Sequence, residues 1–364
     1  MRSVLIAWEL GANWGHTAQV RALARELRER GDRVTLVQKP RAAPRGEPPA
    51  SYADILAGCG FADAASLRAL AGRWRAEFDR CGAQVLIAES APGALFAARV
   101  HGIPAVHLAT GFTSPPSTSP LPAFRPADPE RLREREARVL EAMNRVRAER
   151  GLLPSGRVAE LFTGSEQLFA TFPELDHYGP REGARYVGPL FEDEEGALPG
   201  WPAGAGPRVF VYLRPAPYVE PLLGALKERG ARLLCVLPGS RGRNGAIAIG
   251  KLDPPPDFAI THAGHGTAAA MLLRGVPLLM LPNHVEQLML AQRVALLGAG
   301  LAVSPDASAA AIGRAVDEMR SSARYRACAR WFAERNAGIR PHHAAFLVAE
   351  KLDDLWRREE SDAG

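Results

Sequence analysis

The sequence has only four cysteines among its 364 residues. Cys59, Cys81, Cys235 and Cys328 are far apart and form no C-x-x-C pair, which excludes a disulfide scaffold and fits buried thiols in a reducing compartment. Long apolar runs are missing too. The opening MRSVLIAWELG reaches Glu9 after a few apolar positions, too short for a signal peptide or a membrane span, and no later stretch is long enough. A cytoplasmic protein without a transmembrane segment is expected, with peripheral membrane contact left open. Charge of one sign is also scarce. Lys and Arg total 45 against 40 Asp and Glu, a net +5, and the basic residues, nearly all Arg, are scattered among acids, which argues against a dedicated nucleic-acid binder. No His, Cys and Asp cluster has ligand spacing, so neither a metal nor a resident cofactor is expected.

What is present is the composition of an ordinary globular chain, 47% apolar and 23% charged, long enough to favour two domains over one. SVLIAW (3–8), a glycine-bearing turn, a helical pattern ending at Gly31, and RVTLVQ (33–38) read as β-α-β. QVLIAES (84–90) and IPAVHLA (103–109) bracket the helical PGALFAARVHG and repeat it. A Pro- and Ser-rich stretch, 111–129, reads as a long surface loop before a charged helix near 129–150 and a strand at LFAT (168–171). The alternation restarts at RVFVYLR (208–214) and continues through RLLCVLP (232–238), FAITHA (258–263), PLLMLP (277–282) and LAVS (301–304). The fold class expected is α/β, with two doubly wound, Rossmann-like parallel sheets. The expected domains are 1–187 and 208–340, with the acidic, Gly- and Pro-containing 188–207 as linker and a final helix, 341–364, packing back on the first domain.

The most informative stretch is FAITHAGHGTAAAMLLRGVPLLMLPNHVEQLMLAQRVALLGAG (258–300). A buried strand enters a glycine turn in which Gly264 and Gly266 admit close backbone approach, and Thr267 is placed as the N-cap of the next helix. Free N–H groups and the positive helix pole there suit an anion, a diphosphate above all. His262 at the strand end and His265 within the turn are candidate phosphate contacts. The order HAGHGT, RGVPLL, P-x-x-x-E-Q and a helix closing in GAG resembles the donor signature of GT-B nucleotide-sugar-dependent glycosyltransferases, a group with macrolide, flavonoid and glucuronosyl transferases among its members. VGPL (187–190) is a weaker echo.

The resemblance implies an inverting, metal-independent transferase that moves a sugar from a dTDP- or UDP-linked donor to a hydroxyl of a small-molecule or lipid acceptor. It assigns Gly15, His262, Gly264, His265, Gly266 and Thr267 to the donor, and Glu286 and Gln287 to sugar hydroxyls. Glu286 stands where the family more often has Asp. Ala270 stands where many UDP-sugar users carry a ribose-binding Glu, which makes a deoxyribose donor at least as plausible. In ELGANWGHTAQV, His16 resembles the family's GH histidine, the general base, whose ordinary pKa near ~6.5 suits it to take a hydroxyl proton. The aspartate that orients this base in many relatives is missing from PGALFAARVHG, and Glu89 just before it is the substitute.

Plainer readings stand beside these. His16 could simply open a helix, His262 be a satisfied strand-end histidine, His265 pack within its turn, and Glu286 and Gln287 begin a helix. His107, His342 and His343 read as structural or exposed. A dehydrogenase is disfavoured because the first turn lacks G-x-G-x-x-G and the second strand ends at Gln38 instead of an acid. A catalytically silent partner protein of the same fold and a GT-B sugar epimerase stay open. Acceptor specificity falls to variable loops, 40–60 and 111–129.

Overall fold

A computed structural model describes residues 1–10, 14–38, 48–191, 200–237, 252–339 and 343–362, with only the backbone described for 14–19 and 359–362. The chain divides into two units. Unit 1 comprises Met1–Phe172, Arg181–Phe191 and His342–Gly364, and unit 2 comprises Pro173–Pro180 and Glu192–Pro341. Of the linker expected at 188–207, residues 192–199, including the acidic run, lie outside the described residues, as do 11–13 of the first glycine turn.

Unit 1 runs β1 (Ser3–Trp8), α1 (Trp14–Glu29), β2 (Arg33–Gln38), α2 (Tyr52–Leu56), a π turn, α3 (Ala64–Cys81), β3 (Val85–Glu89), α4 (Pro92–Val100), β4 (Ala105–Ala109), α5 (Pro129–Ala148), α6 (Glu160–Thr163) and β5 (Glu166–Phe169). Unit 2 follows with β6 (Arg208–Tyr212), α7 (Val219–Glu228), β7 (Arg232–Val236), β8 (Phe258–Thr261), α8 (His265–Leu272), β9 (Leu278–Met280), α9 (Val285–Leu297), β10 (Gly300–Ala302), α10 (Ala309–Ser321) and α11 (Ala323–Arg335). The last helix, α12 (His343–Asp362), belongs to unit 1. Its Ala344, Val348 and Leu352 share a core with Val20, Leu23 and Leu27 of α1.

Each unit holds one five-stranded sheet, ordered β2-β1-β3-β4-β5 and, from its opposite edge, β7-β6-β8-β9-β10. All pairs are parallel. The two sheets therefore repeat one doubly wound order, as the alternating runs predict, and in each the switch point lies between the first and third strands of the unit. The continuous apolar runs are explained by burial on both sheet faces: β1, β3, β4 and β8 have no exposed residue.

Three expectations need correction. The segment 111–129 is not a surface loop throughout, since residues 111–115 are buried and Arg181 donates to the carbonyls of Ser114 and Gly111. The 40–60 loop contains α2, where Tyr52 is fully buried; 39–47 lie outside the described residues. The cysteines are not uniformly buried: Cys59 is, Cys81 and Cys328 are half-buried, and Cys235 is exposed on the edge strand β7.

Candidate functional site

In unit 2 the informative turn follows β8, the third strand of its sheet. Ala263 there adopts a left-handed backbone, φ +61°, a conformation that costs a non-glycine residue about 1–3 kcal/mol. The sharp turn starts the helix early. Gly264 is the N-cap and His265 the first helical residue, so Thr267 is the third residue of α8 and not its N-cap. No side chain caps this helix, and the amides of Gly266 and Thr267 meet no acceptor among the described residues. A methyl group built on Gly264 or Gly266 would have open space around it. The positive end of α8 is thus half-buried backbone without an acceptor among the described residues, of a kind that can receive an anion.

His262 is held differently from the expectation. Its Nε2 accepts a hydrogen bond from the Arg214 amide at 2.7 Å, which places the proton on Nδ1, 3.0 Å from the Leu281 carbonyl oxygen that accepts it. Tyr218 Oη and the Asn283 amide group lie 3.3 and 3.0 Å from Nδ1. Burial lowers the pKa of the ring, and the nearby Arg214 and His284 push the same way. Both ring nitrogens therefore serve protein groups, and a neutral ring of this kind ties the ends of β6, β8 and β9 together instead of offering a charge to phosphate.

His265, buried at the start of α8, stacks on His177 with centroids 6.3 Å apart. The stretch Pro173–Pro180 that supplies His177 belongs to unit 2 and is anchored by an ion pair from Glu174 to Arg335 at 3.0 Å. At the start of α9 the Gln287 side-chain oxygen accepts from the Asn283 amide at 2.9 Å, which leaves its NH2 group for another partner. Glu286 is half-buried in the first turn of α9 and forms no hydrogen bond or ion pair with another described residue.

In unit 1, Gly15 and His16 are the second and third residues of α1, and their side-chain surroundings lie outside the described residues. Glu89 ends β3 in register with Trp8 of β1; it is buried, and its Oε1 accepts from the Ser90 hydroxyl at 3.0 Å. A second carboxylate at this end of the sheet, Glu9, was not singled out from the sequence. It is 2% exposed, accepts from the Gly93 amide at 2.6 Å and from the Trp74 indole, and so fills the N-terminus of α4. The signal for it was present: an acid directly after an apolar strand run stands at the strand's C-terminal end, where the start of a neighbouring helix can receive it. His177 carried no such signal, because only the chain path brings it to α8.

Residues 222–354 match the erythromycin biosynthesis protein CIII-like C-terminal domain. No curated protein matches the chain. Among solved structures, the spinosyn rhamnosyltransferase SpnG complexed with thymidine diphosphate is similar over 96% of this chain and 99% of its own, with a TM-score of 0.68 at 17% identity. SsfS6, a Streptomyces sp. SF2575 glycosyltransferase, is similar over 95% and 99%, with a TM-score of 0.62 at 17% identity. The glycosyltransferase VinC, in complex with dTDP, covers 98% of this chain and 100% of its own, with a TM-score of 0.64 at 16% identity. The chain has the GT-B glycosyltransferase fold. In this GT-B chain the EryCIII-like segment covers α8 and α9, the two helices whose first turns carry the candidate donor residues.

Proposed function

We propose that this GT-B protein is an inverting, metal-independent glycosyltransferase that moves a sugar from a nucleoside diphosphate sugar to a hydroxyl of a small-molecule or lipid acceptor. The observation that carries the reading is the uncapped start of α8, whose free amides and helix pole take the two phosphates without a divalent cation. Glu286 and the NH2 group of Gln287 take sugar hydroxyls. His262 acts as a positioning residue that fixes the strand ends beneath the phosphates, and His265 lines the turn. In unit 1, His16 removes the acceptor proton as the nucleoside diphosphate leaves from the opposite face of the sugar, which inverts the anomeric carbon. Both oxygens of Glu9 are engaged by α4 and Trp74, so Glu89 remains the carboxyl group assigned to orient the base.

A dTDP-linked donor is favoured. The half-buried Ala270 side chain in α8 cannot accept from ribose hydroxyls, so a UDP-sugar gains nothing there, and SpnG and VinC are structures with thymidine diphosphate and dTDP bound. Calorimetry with dTDP and UDP tests this. We expect dTDP to bind at least as well as UDP, and Ala270→Glu to shift preference toward UDP by about tenfold, the worth of a hydrogen bond to a carboxylate. A strong wild-type preference for UDP, or no binding of either, overturns it. For the base, His16→Ala should lower turnover by about 10² to 10⁴ with donor affinity retained. Near-wild-type turnover would remove His16 from the mechanism, and loss of activity on adding a chelator would refute metal independence.

A further inference from the structure

Gln287 is the third residue of α9, and its side-chain oxygen reaches back past the N-cap, His284, to the backbone N–H of Asn283. No side chain caps α9 at its N-cap, so the direction in which Gln287 faces depends on where the Asn283 N–H points. That N–H is fixed through the Asn283 side chain. Its amide group lies 3.0 Å from His262 Nδ1 and 3.3 Å from the Tyr218 hydroxyl. Both anchors are themselves held. Tyr218 is buried at the N-cap of α7, with its hydroxyl also 3.3 Å from the His262 ring, and His262 is pinned by the Arg214 N–H and the Leu281 carbonyl. All of these groups belong to unit 2. Asn283 is an exposed residue, and water would satisfy an exposed amide without ordering it, so tying this one to two buried groups costs rotamer freedom that a plain surface asparagine keeps.

We propose that Asn283, with Tyr218 behind it, is a positioning residue for recognition of the donor sugar, an inference that rests on the donor reading given above. A glutamine amide carries a donor end and an acceptor end, and left to rotate it presents either one. Here the Asn283 N–H engages the oxygen, so the end that Gln287 offers a ligand is its NH2. Glu286, the residue before it in the same turn, offers acceptors alone when ionised. A hydroxyl both accepts and donates, and a hydroxyl, or two on adjacent carbons, is what such a pair reads; a deoxy position gives it nothing. The chain of contacts begins at His262, two residues before Gly264, so the sugar-reading turn of α9 is registered to the diphosphate turn of α8 through Asn283.

Isothermal titration of the full chain with dTDP and, separately, with dTDP-glucose, whose sugar carries hydroxyls around its ring, tests the assignment. Asn283→Ala should weaken dTDP-glucose about tenfold and dTDP by less than about twofold, because His262 keeps its Arg214 and Leu281 partners beneath the diphosphate. Gln287→Ala should do the same, and the double variant should lose no more than either single one, since both remove one contact. Tyr218→Phe takes away one of the two anchors and should show a smaller loss, about threefold, confined to dTDP-glucose; it decides the matter should Asn283→Ala fail to fold. A merely structural role would weaken both ligands alike. Equal weakening of the two ligands, additive losses in the double variant, wild-type affinity for dTDP-glucose in Asn283→Ala, or a wild type that binds dTDP and not dTDP-glucose overturns the proposal. A wild type that binds neither would strike the donor reading itself, and the proposal with it.

Discussion

The turns after β3 and β8 are the same element built twice. Each follows the third strand of a sheet with the same strand order, each turns through a left-handed residue that is not glycine, Ser90 at φ +46° and Ala263 at φ +61°, and each opens a helix. They differ in what answers the helix pole. In unit 1 the residue just past the first strand is Glu9, and its carboxylate occupies the start of α4. The strand registers Trp8 to Glu89 and Tyr212 to Thr261 place Leu213 at the corresponding position in unit 2, fully buried and without an acceptor. One helix start is closed by the protein's own anion, and the other meets no acceptor among the described residues. Two similar strand-to-helix turns, one a residue longer than the other, thus differ in whether their helix start is closed, through one residue on a neighbouring strand.

The largest effect should come from opening the closed turn. Glu9→Leu orphans the Gly93 amide and the Trp74 indole, each costing about 1–3 kcal/mol when buried, so denaturant unfolding should show a loss of about 2–6 kcal/mol with dTDP affinity unchanged. A loss below 1 kcal/mol would mean that water replaces the carboxylate. Next, the two turns should answer an added methyl unequally. At Gly93 it would lie 2.5 Å from Glu9 Oε1 and 2.8 Å from Leu70 Cδ2, so Gly93→Ala should destabilise by about 1–3 kcal/mol through overpacking.

Acid should weaken both units in the same direction. His107 in unit 1 is buried, which lowers its pKa to about 3, and His262 in unit 2 is shifted in the same direction. A histidine with a depressed folded pKa contributes stability that is complete above its unfolded pKa near ~6.5 and is lost below it, at about 1.4 kcal/mol per pH unit, until the folded pKa is reached. Stability measured from pH 7 to pH 4 should therefore fall, and His107→Phe should flatten the slope; an unchanged slope would assign the acid loss elsewhere. The smallest effect on stability is expected for Gly266→Ala, whose methyl enters open space and which should gain about 0.5–1 kcal/mol as a helical substitution. Its nucleotide affinity should nevertheless drop several-fold, and unimpaired binding would move the diphosphate away from α8.

Much of this architecture is legible in the sequence because buried parallel strands are written as apolar runs. SVLIAW, VLIAE and FAIT each coincide with a strand, and Gly298 ends α9 in the left-handed conformation its position predicts. The glycine turn before α8 is legible for a similar reason, since backbone access requires small residues in order. What escaped depends on contacts between distant segments. The N-cap was misplaced at Thr267 because the strain at Ala263 has no sequence mark. The hydrogen bonds of His262 are not legible because the Arg214 amide and the Leu281 carbonyl that occupy it come from other strands' ends. The α2 to α3 region escaped because its order comes from packing, with Tyr52 against Phe112 and Phe162, and local pattern alone reads its glycines as a loop.

Unit 1 is discontinuous in the chain, and this fixes an order of events during synthesis. The Ala344, Val348 and Leu352 side chains that close its core against α1 leave the ribosome only after all of unit 2 has been made. Unit 2 can complete its own sheet while it is still attached, whereas the apolar faces of α1 wait for a partner encoded after unit 2. Domains fold as units once their segments are present, so a stop codon before His343 does not trim an appendage. It leaves the first-made half of the protein without its closing helix, and the nascent chain must keep that face from other partners for the time it takes to translate the second half.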